Sequence, residues 1–272
     1  MMAKANDGTL IPISLVHKKD LDIENGDTPT ILYGYGSYGY SMDPGFHQLM
    51  LPYLDRGMVF AIAHVRGGGE MGRQWYKLHG KYLNKRNTFS DFINCAEHLI
   101  ETNVTTPSKL AIRGSSAGGL LVGAVLNMRP DLFKVAVADV PFVDVMNTMS
   151  DPSLPLTTIE WEEWGNPNED KYFDYMLSYS PYDNVREQPY PNVLITCGFN
   201  DPNVGYWEPV KWASKLKTKK TNHNEVLVKI RMDTGHSSSS DRYKKIKERS
   251  FEQSYVLHHL GLVDDDCRQN ES

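Results

Sequence analysis

The sequence of 272 residues is 40% hydrophobic and 23% charged, with a formal net charge of -5. That size and balance suit a single folded domain with a sizeable core, and the modest acidity gives no reason to expect nucleic acid or an anionic membrane as partner. Cys95, Cys197 and Cys267 are widely spaced. They form neither a disulfide framework nor a metal-ligand pattern, so a reducing compartment fits and no metal site is expected. The first residues lack an apolar signal core and no apolar run reaches membrane-spanning length, which makes the cytoplasm the expected location.

In chain order, Thr9 to His17 alternates weakly as a first strand, and Thr30 to Tyr33 is a second, running into the glycine- and tyrosine-rich stretch Gly34 to Tyr40. Met58 to Val65 is a continuous apolar run of the kind that parallel sheets bury on both faces, and it too ends in glycines, Gly67 to Gly69. Asn87 to Thr102 has the apolar periodicity of an amphipathic helix. Lys109 to Arg113 suits a buried strand and Ala117 to Met128 a helix that stops before Pro130. Val135 to Val140 is a strand, followed by a proline-rich stretch, expected to be irregular, as far as Pro191. Val193 to Cys197 is a strand, Trp207 to Leu216 a helix, Glu225 to Arg231 the last strand and Phe251 to Leu260 a closing helix. Such alternation implies an α/β fold, a mostly parallel sheet with helices on both faces, here spanning 1–262, with 263–272 as a polar tail.

Between the strand at 109–113 and the following helix lies Gly114-x-Ser116-x-Gly118, the pattern of a nucleophile elbow. A serine hydroxyl needs a histidine to accept its proton and a carboxylate to hold that histidine's tautomer, and loops beyond strand carboxyl ends are where to look for both. The strand at 193–197 leads into Asp201 and the strand at 225–231 into His236, in the chain order Ser, Asp, His. His64 also follows a strand but precedes the serine, and Asp233 rivals Asp201 from the same loop as the base. The Ala117 N–H, next to the nucleophile, is one candidate oxyanion donor. The Tyr35 hydroxyl is the other, although packing alone would also account for this tyrosine.

Tyr33 to Gly39, Arg66 to Gly72, Gly114 to Gly119 and Asp201 to Val204 resemble the prolyl oligopeptidase family of serine peptidases. Further stretches, among them Gln74 to Tyr76, Val140 to Val145, Glu163 to Pro167, Ser178 to Asn184 and Tyr206 to Pro209, point to its oligopeptidase B branch. The resemblance implies an α/β-hydrolase peptidase domain with Ser116, Asp201 and His236 as triad, Tyr35 as oxyanion tyrosine and no cofactor. It also implies cleavage of small peptides after Arg or Lys, with Glu160 and Glu162 as the acidic specificity pair. Without it, Glu160 to Glu163 reads as a solvated acidic turn.

Five departures from the family stand out. Ser115 takes the place of a glycine before the nucleophile, and the residues after His236 are unusually rich in serine. Asn203 stands where many relatives carry a carbonyl-binding arginine, and Gly45 where an acidic group reads a second basic residue, which leaves Asp43 alone and implies weaker dibasic selectivity. Relatives place a β-propeller before this domain, and no propeller is expected within these residues. Competing readings are a general carboxylesterase or acylaminoacyl hydrolase on the same triad, and a hydrolase-fold binding domain without catalysis.

Overall fold

The structure, a computed structural model, describes residues 1–237 and 239–263. Of the expected tail, 263–272, all but Val263, Cys267 included, lies outside the described residues.

The strands are β1 (Met2–Lys4), β2 (Leu10–Val16), β3 (Thr30–Tyr33), β4 (Val59–Ala63), β5 (Leu110–Ser115), β6 (Val135–Asp139), β7 (Asn192–Gly198) and β8 (Val226–Arg231). They form one sheet in the order β1-β2-β4-β3-β5-β6-β7-β8. β2 pairs antiparallel with β1 and β4, and every pairing from β4 through to β8 is parallel. The parallel half therefore delivers its strand carboxyl ends to one edge, where the loops after β3, β5, β7 and β8 meet.

The helices are α1 (Leu51–Asp55), α2 (Arg73–Lys77), α3 (Arg86–Glu101), α4 (Ala117–Met128), α5 (Val145–Ser150), α6 (Thr157–Trp164), α7 (Asp170–Leu177), α8 (Trp207–Lys219) and α9 (Arg242–His259). Period-two alternation divides each central strand between two cores. Leu110, Ile112, Ala136, Ala138, Val193 and Ile195 pack with α3, α4 and α8, whereas Ala111, Val135, Val137 and Leu194 pack with α1 and α9. α4 is buried along nearly its whole length, which suits its apolar sequence between sheet and neighbouring helices.

Two expectations change. The stretch to Pro191 is not irregular, because it holds α5, α6 and α7, each six to eight residues long. Elements that short show too few turns for a periodic signal, and α6 is held instead by tertiary contacts such as Trp161 Nε1 donating to the Met149 carbonyl. The closing helix starts at Arg242 rather than Phe251, with Asp241 capping it by accepting from the Lys244 N–H at 2.9 Å. Its first half is exposed and charged, so apolar periodicity begins only later. Among the described residues no helix is long and apolar enough to cross a membrane.

Candidate active site

Ser116 has φ 58° and ψ -118°, a backbone conformation costly for any residue with a side chain. Three features hold it there. The Ser116 N–H donates to the Asp139 carbonyl at 2.9 Å, the Ser116 carbonyl accepts from Gly119, and β5 and α4 are both buried. The flanking glycines are sterically required: a Cβ on Gly114 would stand 2.1 Å from the Gly118 carbonyl oxygen, and one on Gly118 would stand 2.8 Å from that of Gly34. Ser115, in contrast, fits without strain of its own and points its hydroxyl at Asp139 Oδ2, 3.4 Å away.

The loops after β7 and β8 are tied together by the Phe199 N–H on the Arg231 carbonyl and the Asn200 N–H on the Thr234 carbonyl. This brings Asp201 and His236 within reach of the elbow. His236 Nε2 lies 2.9 Å from Ser116 Oγ, and His236 Nδ1 lies 2.8 Å from Asp201 Oδ2. The Asp201 side chain is 1% exposed, and its other oxygen accepts from the Asn203 and Val204 N–H groups at 2.8 and 3.0 Å. An imidazole whose Nδ1–H donates to that carboxylate presents its Nε2 lone pair to the serine hydroxyl. The rivals stand elsewhere: His64 is buried on Ser14, and Asp233 forms an exposed pair with Lys244.

Ser116, Ala117, Asp201 and His236 line one cavity of ≈ 510 Å³, together with Tyr35, Glu160, Asn203, Phe142, Trp164 and Glu208. Ala117 is the first residue of α4, where a helix N–H lacks an intrahelical partner. The Tyr35 ring packs on the elbow, 3.3 Å from where a Gly118 Cβ would stand. Burial, with Tyr33, Glu163 and Glu160 adding to it, pushes its phenol up to about 12, so it stays a neutral donor at working pH.

The acidic residues of α6 diverge. Glu160 faces the cavity and accepts from the Tyr38 hydroxyl and from Trp164 Nε1, both at 2.8 Å. Burial raises its carboxyl above the usual range, against the pull of those two donors. Glu162 is not in the cavity wall; it accepts from the Tyr82 hydroxyl at 3.0 Å on another face of the helix. Two residues along a helix is about 200° of rotation, which sends a neighbouring pair to opposite sides. Glu163 is buried and accepts from the Tyr38 N–H and the Tyr76 hydroxyl. Asp43 lines a separate cavity of ≈ 280 Å³ with Tyr53, Arg113 and Arg249, away from Ser116, Asp201 and His236.

Three groups escaped the reading of the sequence. Glu208, buried at the start of α8, accepts from the Val143 and Asp144 N–H groups and from the Thr148 hydroxyl, which fixes one wall of the cavity. Burial pushes its carboxyl up to about 7. Asp139, at the end of β6, gathers Arg231, Arg113, Arg249 and Thr196 directly behind the elbow. Lys85, just before α3, is fully buried beneath the Tyr35 loop. Glu208 stood inside one of the resembling stretches, Tyr206 to Pro209, whereas Asp139 and Lys85 carry no local signal.

A model of the prolyl oligopeptidase family matches residues 44–263. The chain belongs to the prolyl oligopeptidase family. Within it, the chain is 52% identical over 262 residues to Protease 2 of Moraxella lacunata, an alignment covering 96% of this chain and 38% of that protein. Oligopeptidase B from Leishmania major has the same fold at a TM-score of 0.95 and 64% identity, over 96% of this chain and 36% of that one. Oligopeptidase B from Trypanosoma brucei, solved with covalently bound antipain, matches at 0.95 and 63% identity, over 97% of this chain and 37% of that one. The chain thus spans little more than a third of the length of these relatives, and its sheet is the family's α/β-hydrolase sheet.

Proposed function

We propose that this chain is the catalytic unit of a serine oligopeptidase that hydrolyses small peptides after Arg or Lys. The observation that carries the reading is the unbroken chain from Ser116 Oγ through His236 to Asp201, at 2.9 and 2.8 Å, in a cavity that also holds the Glu160 carboxylate. His236 Nε2 takes the hydroxyl proton as Ser116 Oγ attacks the scissile carbonyl, and Asp201 stabilises the imidazolium that forms. The negative charge developing on the carbonyl oxygen falls to the Tyr35 hydroxyl and the Ala117 N–H. His236 then protonates the leaving amine, an acyl-enzyme remains on Ser116, and water repeats the sequence in reverse roles to release the acid.

Glu160 is the reader of the basic side chain. A partly desolvated carboxylate pairs strongly with a guanidinium, and Trp164 and Phe142 supply apolar wall for the methylene stem. Asn203 lines the cavity beside the triad, a polar group for the substrate backbone, while its own N–H holds Asp201. Glu162 and Asp43 have no part in this pocket.

The test compares reporter amides ending in Arg, Lys and Pro. The reading expects Arg and Lys to be cut and Pro not, and expects Glu160→Gln to remove that preference while leaving short acyl esters turning over at their original rate. Faster cleavage after Pro would overturn the basic pocket. Turnover of esters alone would instead favour a carboxylesterase on the same triad.

A further inference from the structure

We infer that Lys85 is a positioning residue whose buried ammonium clamps the loop carrying Tyr35 to the helix carrying Glu160, so that one cation aligns the oxyanion donor and the basic-residue pocket together. The inference rests on the peptidase reading above and adds to it a group that touches neither substrate nor the reacting atoms.

Lys85 is 0% exposed. Its Nζ donates to the Gly36 carbonyl and, at 2.8 Å, to Ser37 Oγ, the two residues that follow Tyr35. The same Nζ stands 5.1 Å from the centre of the Trp164 ring, a cation over an aromatic face. Trp164 in turn donates from Nε1 to Glu160 at 2.8 Å. The next residue of the loop closes the circuit, because the Tyr38 N–H donates to Glu163 and the Tyr38 hydroxyl to Glu160. Loop and helix are therefore joined through one ammonium and through Tyr38.

Lys85 has no ion-pair partner among the described residues. Burial brings its pKa down to about 8, against the upward pull of the Glu163 charge on α6. An ammonium without a carboxylate partner is a poor way to fill a core, since an apolar chain of equal length would occupy the space with no desolvation penalty. What the cation adds is geometry: its donors fix the direction of the Gly36 carbonyl and hence the Gly36–Ser37 peptide, one residue beyond Tyr35.

The measurement is a double-mutant cycle on an Arg reporter amide. Lys85→Met should fold and lower kcat about 10- to 100-fold, the size expected for losing alignment of one oxyanion donor. Tyr35→Phe should cost a similar factor in the wild-type background but less than about threefold in Lys85→Met, because the hydroxyl is already out of place. Costs that multiply, or a folded Lys85→Met with wild-type kcat, would overturn the inference. Should Lys85→Met not fold, Ser37→Ala removes one acceptor and leaves the cation on Gly36. It should lower kcat about three- to tenfold with the same coupling to Tyr35→Phe, and multiplying costs would again overturn it.

The wild-type pH profile gives an independent readout. Because the folded pKa lies below the value of 10.5 for a free lysine, the unfolded chain holds a proton that the folded one has lost between those limits, so this group makes stability rise with pH there. The folded ammonium itself loses its proton at about pH 8, and activity should fall through that pH as the clamp loses its charge. A fall in activity that merely tracks unfolding contradicts the clamp. A wild-type chain that an active-site fluorophosphonate does not label overturns the peptidase reading and this inference with it, whereas a labelled wild type with a fully active Lys85→Met overturns this inference alone.

Discussion

Behind Ser116 the guanidiniums of Arg113, Arg231 and Arg249 interlock with the carboxylates of Asp139, Glu252 and Glu248 in a buried cluster drawn from β5, β6, β8 and α9. Behind Tyr35 a single ammonium lies among a backbone carbonyl, a hydroxyl and an indole ring. The first region supports a strained backbone that two buried elements already define, and its charges balance through several overlapping pairs. The second supports a loop with no strand or helix of its own. The difference teaches that order can be spread over many overlapping ion pairs or rest on a few contacts, and that the second kind is where a single substitution should reach the chemistry.

The largest effect belongs to the proposed triad, which both regions adjoin. Asp201→Asn keeps the contacts of the loop but presents the wrong partner to His236 Nδ1, and kcat should fall by about 10⁴-fold with KM little changed. Steady-state kinetics on the Arg reporter checks this. Next comes Asp139→Ala, which leaves the clustered guanidiniums without their central anion. Unfolding in urea should show a loss of about 3–5 kcal/mol at unchanged m.

Asp139 also dictates an acid limb. Burial pushes its carboxyl upward, but Arg113, Arg231 and Arg249 outweigh that and hold it below the usual range. Its stabilising share is therefore present above the unfolded-state value and lost as pH falls through the lower folded one. Urea midpoints measured downward from pH 5 should fall in the wild type, and more shallowly in Asp139→Ala.

A smaller change is expected at the pocket. Glu160→Gln should raise KM for Arg reporters about 10- to 100-fold, with little effect on esters. The raised Glu160 carboxyl predicts that the preference for Arg fades as pH falls through that value, and the Gln variant should show no such fading. Glu162→Gln, which alters only the contact with Tyr82, should change kcat/KM by less than about twofold. A larger drop there would restore the acidic pair that the helix geometry separates.

What could be read beforehand follows from where each signal lives. The parallel strands and α4 announce themselves through continuous apolar runs, and the triad through residues placed just beyond those strands. Ser116, Asp201 and His236 could thus be assembled from local sequence and chain order. The family resemblance pairs Glu162 with Glu160, whereas on the eight-residue helix Glu160 lines the cavity and Glu162 accepts from Tyr82 on another face. Lys85 and Asp139 depend on contacts across 48 and 92 residues, and a charge partnered that far along the chain looks locally like any surface charge. Short α5 to α7 were hidden because their stability comes from packing rather than from their own periodicity.

The most direct test of the account is intact-mass spectrometry of the chain treated with an aryl fluorophosphonate, with and without a competing arginine peptide. The account predicts a single adduct at Ser116, slowed by the arginine peptide but not by its proline counterpart, and absent from His236→Ala. A folded chain that takes no adduct, or one protected equally by both peptides, would contradict it.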